Sequence, residues 1–154
     1  MGNYLDALRE SIEFENFGSL IGDTIFTLRD IRRGYVNKNK IDSAIMLCET
    51  IMKGHEVSKR VPQLWGESDA YKKYKLIYDS REYLEKEGFD LEAVMKEIGE
   101  LKVLLGEVLK GKKALLKRDK INKYQIYLSK IGIHFLRAAD VELMRAKALK
   151  GSRD

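Results

Sequence analysis

Residues 90–110 read DLEAVMKEIGELKVLLGEVLK, and this stretch decides the fold class. Six of its apolar residues recur at alternating steps of three and four, which is the spacing of one face of an α-helix. They are Leu91, Val94, Ile98, Leu101, Leu105 and Val108. Met95, Leu104 and Leu109 widen the same face. Such a continuous apolar face has to be buried, so the sequence predicts a helix over about 91–110 that packs against other helices.

A turn signal comes directly before this helix. Gly88 can adopt the left-handed conformation that ends a helix, and Phe89 can then contact the last turn of that helix. Asp90 can cap the following helix, because its carboxylate can accept hydrogen bonds from the free N–H groups of the first turn. The sequence therefore predicts two antiparallel helices, about 68–87 and 91–110, joined by one tight turn.

The rest of the chain also has the spacing of helices. Apolar residues recur at steps of three and four over about 40–59, and Asn39 is available as the cap of this helix. Residues 3–33 are predicted to form one or two helices with an interruption at about 16–22. Residues 119–149 are predicted to form the longest helix of the chain.

Proline and glycine mark the main connection that is expected within the chain. Pro62 is the single proline of the sequence, and with Gly66 it is predicted to interrupt helix. The fold class expected from these patterns is all-α: an antiparallel bundle of five or six helices with a core like that of a four-helix bundle. We expect one helical domain over 1–154, with disordered ends at 1–2 and 150–154.

The positive charge of the chain is concentrated in one short segment. The formal net charge is +5, whereas residues 108–123 hold seven basic residues and one acidic residue. The basic residues are Lys110, Lys112, Lys113, Lys117, Arg118, Lys120 and Lys123. Such a cluster attracts phosphates, although cations near a helix C-terminus also interact favourably with the helix dipole. The leading hypothesis is a non-catalytic helical binding protein that contacts nucleic acid or another polyanion through this segment.

Two pairs of residues predict a surface for a second protein. Ile126 and Ile133 are seven residues apart and fall opposite the main apolar face of the 119–149 helix. Gly99 and Gly106 are also seven apart, and a glycine inside a helix costs about 1 kcal/mol relative to alanine. Close approach of a neighbouring helix or a second subunit would offset that cost. The alternative hypothesis is a homo-oligomer, or an assembly subunit that binds a partner protein.

Glu97 and Glu100 lie three residues apart in the segment KEIGEL, on one side of the predicted helix. This ExxE segment resembles the first half of the metal site of MazG-type nucleotide pyrophosphohydrolases, which are all-α enzymes that pair it with an ExxD on a facing helix. The later segment of this chain that corresponds is Arg137-Ala-Ala-Asp140. The resemblance implies that Glu97, Glu100 and Asp140 hold Mg²⁺, which gives a second alternative, a nucleotide hydrolase.

Few residues suit other kinds of catalysis. The chain has two histidines and one cysteine, and His55 and Cys48 both fall on the apolar face of the 40–59 helix. No spacing of cysteine and histidine indicates a zinc site, so no cofactor is expected apart from the Mg²⁺ of the hydrolase alternative. The N-terminal residues lack the pattern of a secretory signal, and no apolar run approaches the roughly 20 residues that cross a membrane. We therefore expect a cytoplasmic protein without a membrane partner.

Overall fold

Every regular element in the described part of the chain is a helix. The computed structural model describes residues 2–65, 81–113 and 116–139, with side chains for all of these except 2–16 and 60–65. The prediction of an all-α bundle is confirmed. Among the residues described, no helix is both long enough and apolar enough to span a membrane.

The helices of the bundle run in two opposite directions. Their bounds are α1 Gly2–Arg32, α2 Lys38–Trp65, α4 Leu91–Leu109 and α5 Arg118–Ile126. Residues 81–86 are the described end of a further helix, α3. The last described helix starts with α5, passes through a π-helical segment at Tyr127–Gly132 and returns to α-helix at 133–139; we call 118–139 the C-terminal helix.

The prediction for α4 is confirmed. All six residues of its apolar seam are buried, as is Met95. Gly88 has φ +93°, and the N–H of Phe89 donates to the carbonyl of Leu84 at 3.2 Å, which is the hydrogen bond of a Schellman stop. The Asp90 carboxylate accepts from the N–H of Ala93 at 3.2 Å. The turn between α3 and α4 therefore has the capping chemistry that the sequence predicts.

The apolar faces predicted for the other helices are also buried. The buried residues of α2 include Ile41, Ala44, Cys48, Ile51 and His55. Those of the C-terminal helix include Ile121, Tyr124, Leu128, Ile131, Phe135 and Ala138. Each large apolar side chain removed from water stabilises the fold by about 1.5–3 kcal/mol. Burial raises the pKa of the Cys48 thiol to about 12, so this cysteine is a protonated part of the core.

Three local expectations differ from the structure. α1 is one helix without a break at 16–22. Phe17, Leu20 and Ile21 continue its packed face past Gly18 and Gly22. α2 continues to Trp65, with Pro62 in its last turn, where the missing proline N–H removes only one hydrogen bond of the helix. The cap of α2 is Asn37 and not Asn39: the N–H of Lys40 donates to Asn37 Oδ1 at 3.2 Å.

Other expectations concern the ends of the chain and the segment between α2 and α3. α1 already begins at Gly2. The ends at residue 1 and 150–154 lie outside the described residues. Residues 66–80 also lie outside the described residues, and they include most of the helix predicted at 68–87. The same holds for 140–149, the end of the helix predicted at 119–149.

Two glycines that the sequence did not single out allow α2 to lie directly on the C-terminal helix. A Cβ on Gly54 would overlap the backbone carbonyl of Phe135, and a Cβ on Gly132 would lie 3.0 Å from Ile51 Cδ1. By contrast, a Cβ on Gly18, Gly22 or Gly106 would meet no atom of the described residues within 4 Å. The backbone contact between Gly54 and Phe135 therefore sets the distance between these two helices.

Replacement of Gly54 by alanine is expected to lower the free energy of unfolding by about 3 kcal/mol. The new methyl group would force α2 away from Phe135, and overpacking of a well-packed core costs about 1–3 kcal/mol. Denaturation with urea measures the change.

The matched control is Gly106→Ala, in the interior of α4. Among the residues that the structure describes, no atom lies within 4 Å of the added methyl group, so the higher helix propensity of alanine is expected to stabilise the protein by up to about 1 kcal/mol. If both substitutions change stability equally, the contact between Gly54 and Phe135 does not limit the packing.

Candidate polyanion-binding site

Two segments of the chain that are rich in basic residues, 29–42 and 107–120, meet at one end of the bundle. α2 and α4 are antiparallel, since His55 pairs with Glu92 and Glu49 pairs with Lys102, at 3.2 and 3.3 Å. The C-terminus of α4 therefore lies beside the N-terminus of α2. α5 begins at this same end, because Arg118 in its first turn lines one cleft with Arg32 and Arg33 at the end of α1.

We call this part of the molecule the basic end and define it as residues 29–42 and 107–120. These two segments hold eleven basic residues and four acidic residues, while the net charge of the whole chain is +5. The rest of the chain is therefore slightly acidic. The bundle has one strongly positive end, which includes most of the segment that the sequence predicts to bind a polyanion.

Six of the seven predicted binding residues are exposed cations of the basic end. They are Lys110, Lys112, Lys113, Lys117, Arg118 and Lys120, and no described carboxylate lies within ion-pair distance of any of them. Lys123 differs, because its Nζ lies 2.7 Å from Glu97 Oε1 and 5.8 Å from the centre of the Tyr127 ring. The hydrogen bond with Glu97 raises the pKa of Lys123. Its charge is thus already balanced within the protein.

The structure adds three arginines of α1 and its following turn to this set. Arg29, Arg32 and Arg33 face Arg118 across a cleft of about 450 Å³ that Ile121 and Asn122 also line. Residues 1–34 together carry a net negative charge, so the net charge of this segment does not reveal these arginines. The signal that could have found them is their i, i+3, i+4 spacing at the end of a predicted helix.

The four residues predicted to form a protein interface differ in their exposure and in their neighbours. Ile126 is 49% exposed, whereas Ile133 packs partly against the core. A π-helical segment, Tyr127–Gly132, lies between the two isoleucines. An added Cβ on Gly99 would lie 3.7 Å from Met52 Cε, and one on Gly106 would have no neighbour within 4 Å in the described part of the chain. Contact with a second subunit stays a prediction.

The carboxylates predicted to hold Mg²⁺ have other surroundings in the structure. Glu97 is half-buried and pairs with Lys123, while Glu100 is exposed and Asp140 lies outside the described residues. Burial, followed by the charges of Glu97 and Glu100, raises the pKa of Tyr124 to about 12. Within the ranges that the structure describes, no three His, Cys, Asp or Glu side chains are grouped as metal ligands. The metal site stays a prediction.

A second polar cluster lies toward the opposite end of the bundle and joins α2, α3 and α4. The ring of His55 lies 3.2 Å from Glu92 Oε1 through Nε2 and 3.1 Å from Arg81 Nη1 through Nδ1. A guanidinium can only donate, so Nδ1 accepts and the proton is assigned to Nε2, which donates to Glu92. Arg81 also pairs with Glu85 at 3.3 Å. Both ring nitrogens are occupied, and this arrangement links three helices rather than providing a free base.

The surroundings of both histidines lower their pKa. Burial, and then the positive charge of Arg81, lower the pKa of His55. Burial, and then Arg137, lower the pKa of His134. Protonation of either ring would add a positive charge beside an arginine, so the folded state is expected to lose stability in acid.

Lowering the pH from 7.5 to 5.5 is expected to decrease the free energy of unfolding. The pKa of His55 lies below its ordinary value of 6.5 in the folded chain, so the unfolded chain binds more protons as the pH falls below 6.5. The stabilisation that comes from the lowered pKa is complete above pH 6.5. Below pH 6.5 the free energy of unfolding falls by at most about 1.4 kcal/mol per pH unit for each histidine. Urea denaturation across this range measures the slope.

Two variants separate the contributions of the histidines. Glutamine does not titrate and keeps both a donor and an acceptor, so His55→Gln is expected to show a smaller pH slope than the wild type. His134→Gln removes only the contribution of His134. A wild-type slope that persists unchanged in His55→Gln would contradict the lowered pKa of His55.

Comparisons with known proteins return no match for this chain. No protein-family model matches it, and neither do the curated proteins or the solved structures.

Proposed function

We propose that this protein is a non-catalytic helical protein that binds nucleic acid at its basic end. The observation that carries the proposal is the concentration of eleven basic residues against four acidic ones at one end of the bundle. Most of these cations are exposed, and those of 110–120 have no carboxylate partner among the described residues. Unpaired, exposed cations can displace the counterions of a phosphate backbone, which is the main source of affinity in nucleic-acid binding.

The helix dipole accounts for only some of these charges. Cations stabilise helix C-termini, which explains Arg29 and Arg32 in the last turn of α1. Lys38 and Lys40, however, lie in the first turn of α2, which holds no acidic residue. At the N-terminus of α5, Lys117, Arg118 and Lys120 outnumber the single Asp119. Cations at a helix N-terminus are unfavourable, so a bound polyanion is the better explanation for them.

An exposed aromatic ring favours nucleic acid over other polyanions. Tyr35 is 68% exposed in the turn between α1 and α2, beside Arg33 and close to Lys38 in sequence. Tyrosine rings next to cations stack with unpaired bases in proteins that bind single strands. Single-stranded DNA or RNA is therefore the first partner to test.

Removing three cations of the basic end is expected to weaken binding and its dependence on salt. For Lys112→Ala, Lys113→Ala and Lys117→Ala combined, the slope of log K against log salt is expected to become shallower by up to about 2, since each lost contact with a single strand contributes roughly 0.7. Fluorescence anisotropy of a labelled single-stranded oligonucleotide, titrated at several salt concentrations, measures both quantities.

The matched control removes the same charge from outside the basic end. Lys53→Ala, Lys96→Ala and Lys130→Ala combined alter three exposed lysines without a partner in the described structure, and should leave the slope nearly unchanged. Equal effects of the two triple variants, or no binding at low salt, would contradict the proposal. The ligand class would change from nucleic acid to polyanions in general under two joint results. Heparin would bind as tightly as the oligonucleotide, and Tyr35→Ala would not affect binding to the oligonucleotide.

A further inference from the structure

We propose that the cleft between α1 and α5 binds the terminal phosphate of a nucleotide, through Arg29, Arg32, Arg33 and Arg118. The terminal phosphate can belong to a free nucleotide or to the end of a nucleic-acid strand. This inference rests on the proposed function, which it makes more specific, because the lysines of the basic end would contact the rest of the strand.

The cleft is built from two helix faces that the fold brings together. Arg29 and Arg32 lie in the last turn of α1 and Arg33 follows it directly, and their spacing of three and four places them on one side of the helix end. Arg118, Ile121 and Asn122 have the same spacing on the first turns of α5. The bond from Arg29 Nη2 to Gln125 Oε1 connects the two helices beside the cleft.

The charges in the cleft exceed what one phosphodiester could balance. None of the residues that line it is acidic, and Arg32, Arg33 and Arg118 have no carboxylate partner within the described structure. Arg29 makes its hydrogen bond to a neutral amide and also lies over the ring of Phe26, at 5.8 Å. A phosphodiester carries one negative charge, whereas a terminal phosphate carries about 1.5 to 2 at neutral pH and a polyphosphate chain carries more.

The geometry of the side chains and the size of the cleft point to the same ligand. The planar guanidinium fork of arginine can form two parallel hydrogen bonds with one phosphate group, which lysine cannot do. A volume of about 450 Å³ is within the usual range of ligand pockets and is larger than a phosphate alone requires. Ile121 adds an apolar wall, and the amide of Asn122 can both donate and accept hydrogen bonds.

The experiment compares strands that differ only at their ends. A short, internally labelled single strand is prepared with a 5′-phosphate, with a 3′-phosphate and with hydroxyls at both ends, and binding is followed by anisotropy in the presence of EDTA. A phosphorylated end is expected to bind about tenfold more tightly than the hydroxyl form, which corresponds to one additional charged hydrogen-bonded contact. ATP and pyrophosphate, measured alone by calorimetry, are expected to bind and to compete with the phosphorylated strand.

Two double variants assign the effect to the cleft. Arg32→Ala with Arg118→Ala is expected to abolish the preference for a phosphorylated end and the binding of pyrophosphate. Lys112→Ala with Lys113→Ala removes the same charge outside the cleft, and should weaken all strands by one common factor while the preference remains. Arg32→Lys with Arg118→Lys keeps the charge without the guanidinium fork, so most of the preference is expected to disappear.

The outcomes separate this inference from the proposed function. If all three strands bind equally and neither ATP nor pyrophosphate binds, the inference is overturned and the proposed function stands. If ATP binds through the cleft but no strand binds, the terminal-phosphate site stands with a free nucleotide as its ligand, and nucleic-acid binding fails. A preference that survives the double variant of Arg32 and Arg118 would also overturn the assignment to this cleft.

Discussion

The close packing of α2 against the C-terminal helix is the constraint on which the rest of the structure depends. Gly54 lets the backbone of α2 touch the backbone of Phe135, and Gly132 leaves room for Ile51. A larger residue at either position would separate two helices whose buried faces supply much of the core. The same contact brings the ring edge of Phe135 to the ring of His55, with the two centres 5.2 Å apart. α2 is thereby held between the C-terminal helix and α4.

The directions in which the helices run determine where the charges of the chain are collected. α1 and α4 end at the basic end, and α2 and α5 begin there. Residues 29–42 and 107–120 are distant in sequence, yet this arrangement places them side by side. Mutual repulsion among exposed cations is weakened by salt, since the Debye length is about 8 Å at physiological ionic strength. A positively charged end can therefore be maintained without internal ion pairs.

The ion pairs between helices that the structure describes lie outside the basic end and have a different role. Glu97 binds Lys123, Glu49 binds Lys102, and Glu92 binds both His55 and Lys59. Each of these pairs connects two helices at the side of the bundle. Lys123 thus belongs to the helix packing, although its position in sequence groups it with the lysines of 110–120. Charge patterning along the chain did not distinguish these two roles, because a salt bridge depends on which residue faces a lysine across a helix interface.

The amino-acid sequence by itself determined the fold class, the apolar faces of α2, α4 and the C-terminal helix, and the capped turn at Gly88 and Asp90. These features depend on local spacing and local hydrogen bonds, which a single segment contains in full. Only the tertiary structure decided that α1 is continuous, that Gly54 and not Gly106 is the site of close approach, and that Arg29, Arg32 and Arg33 face Arg118. Those features depend on helices that are distant in sequence, and no periodicity within one segment reports which neighbour it meets.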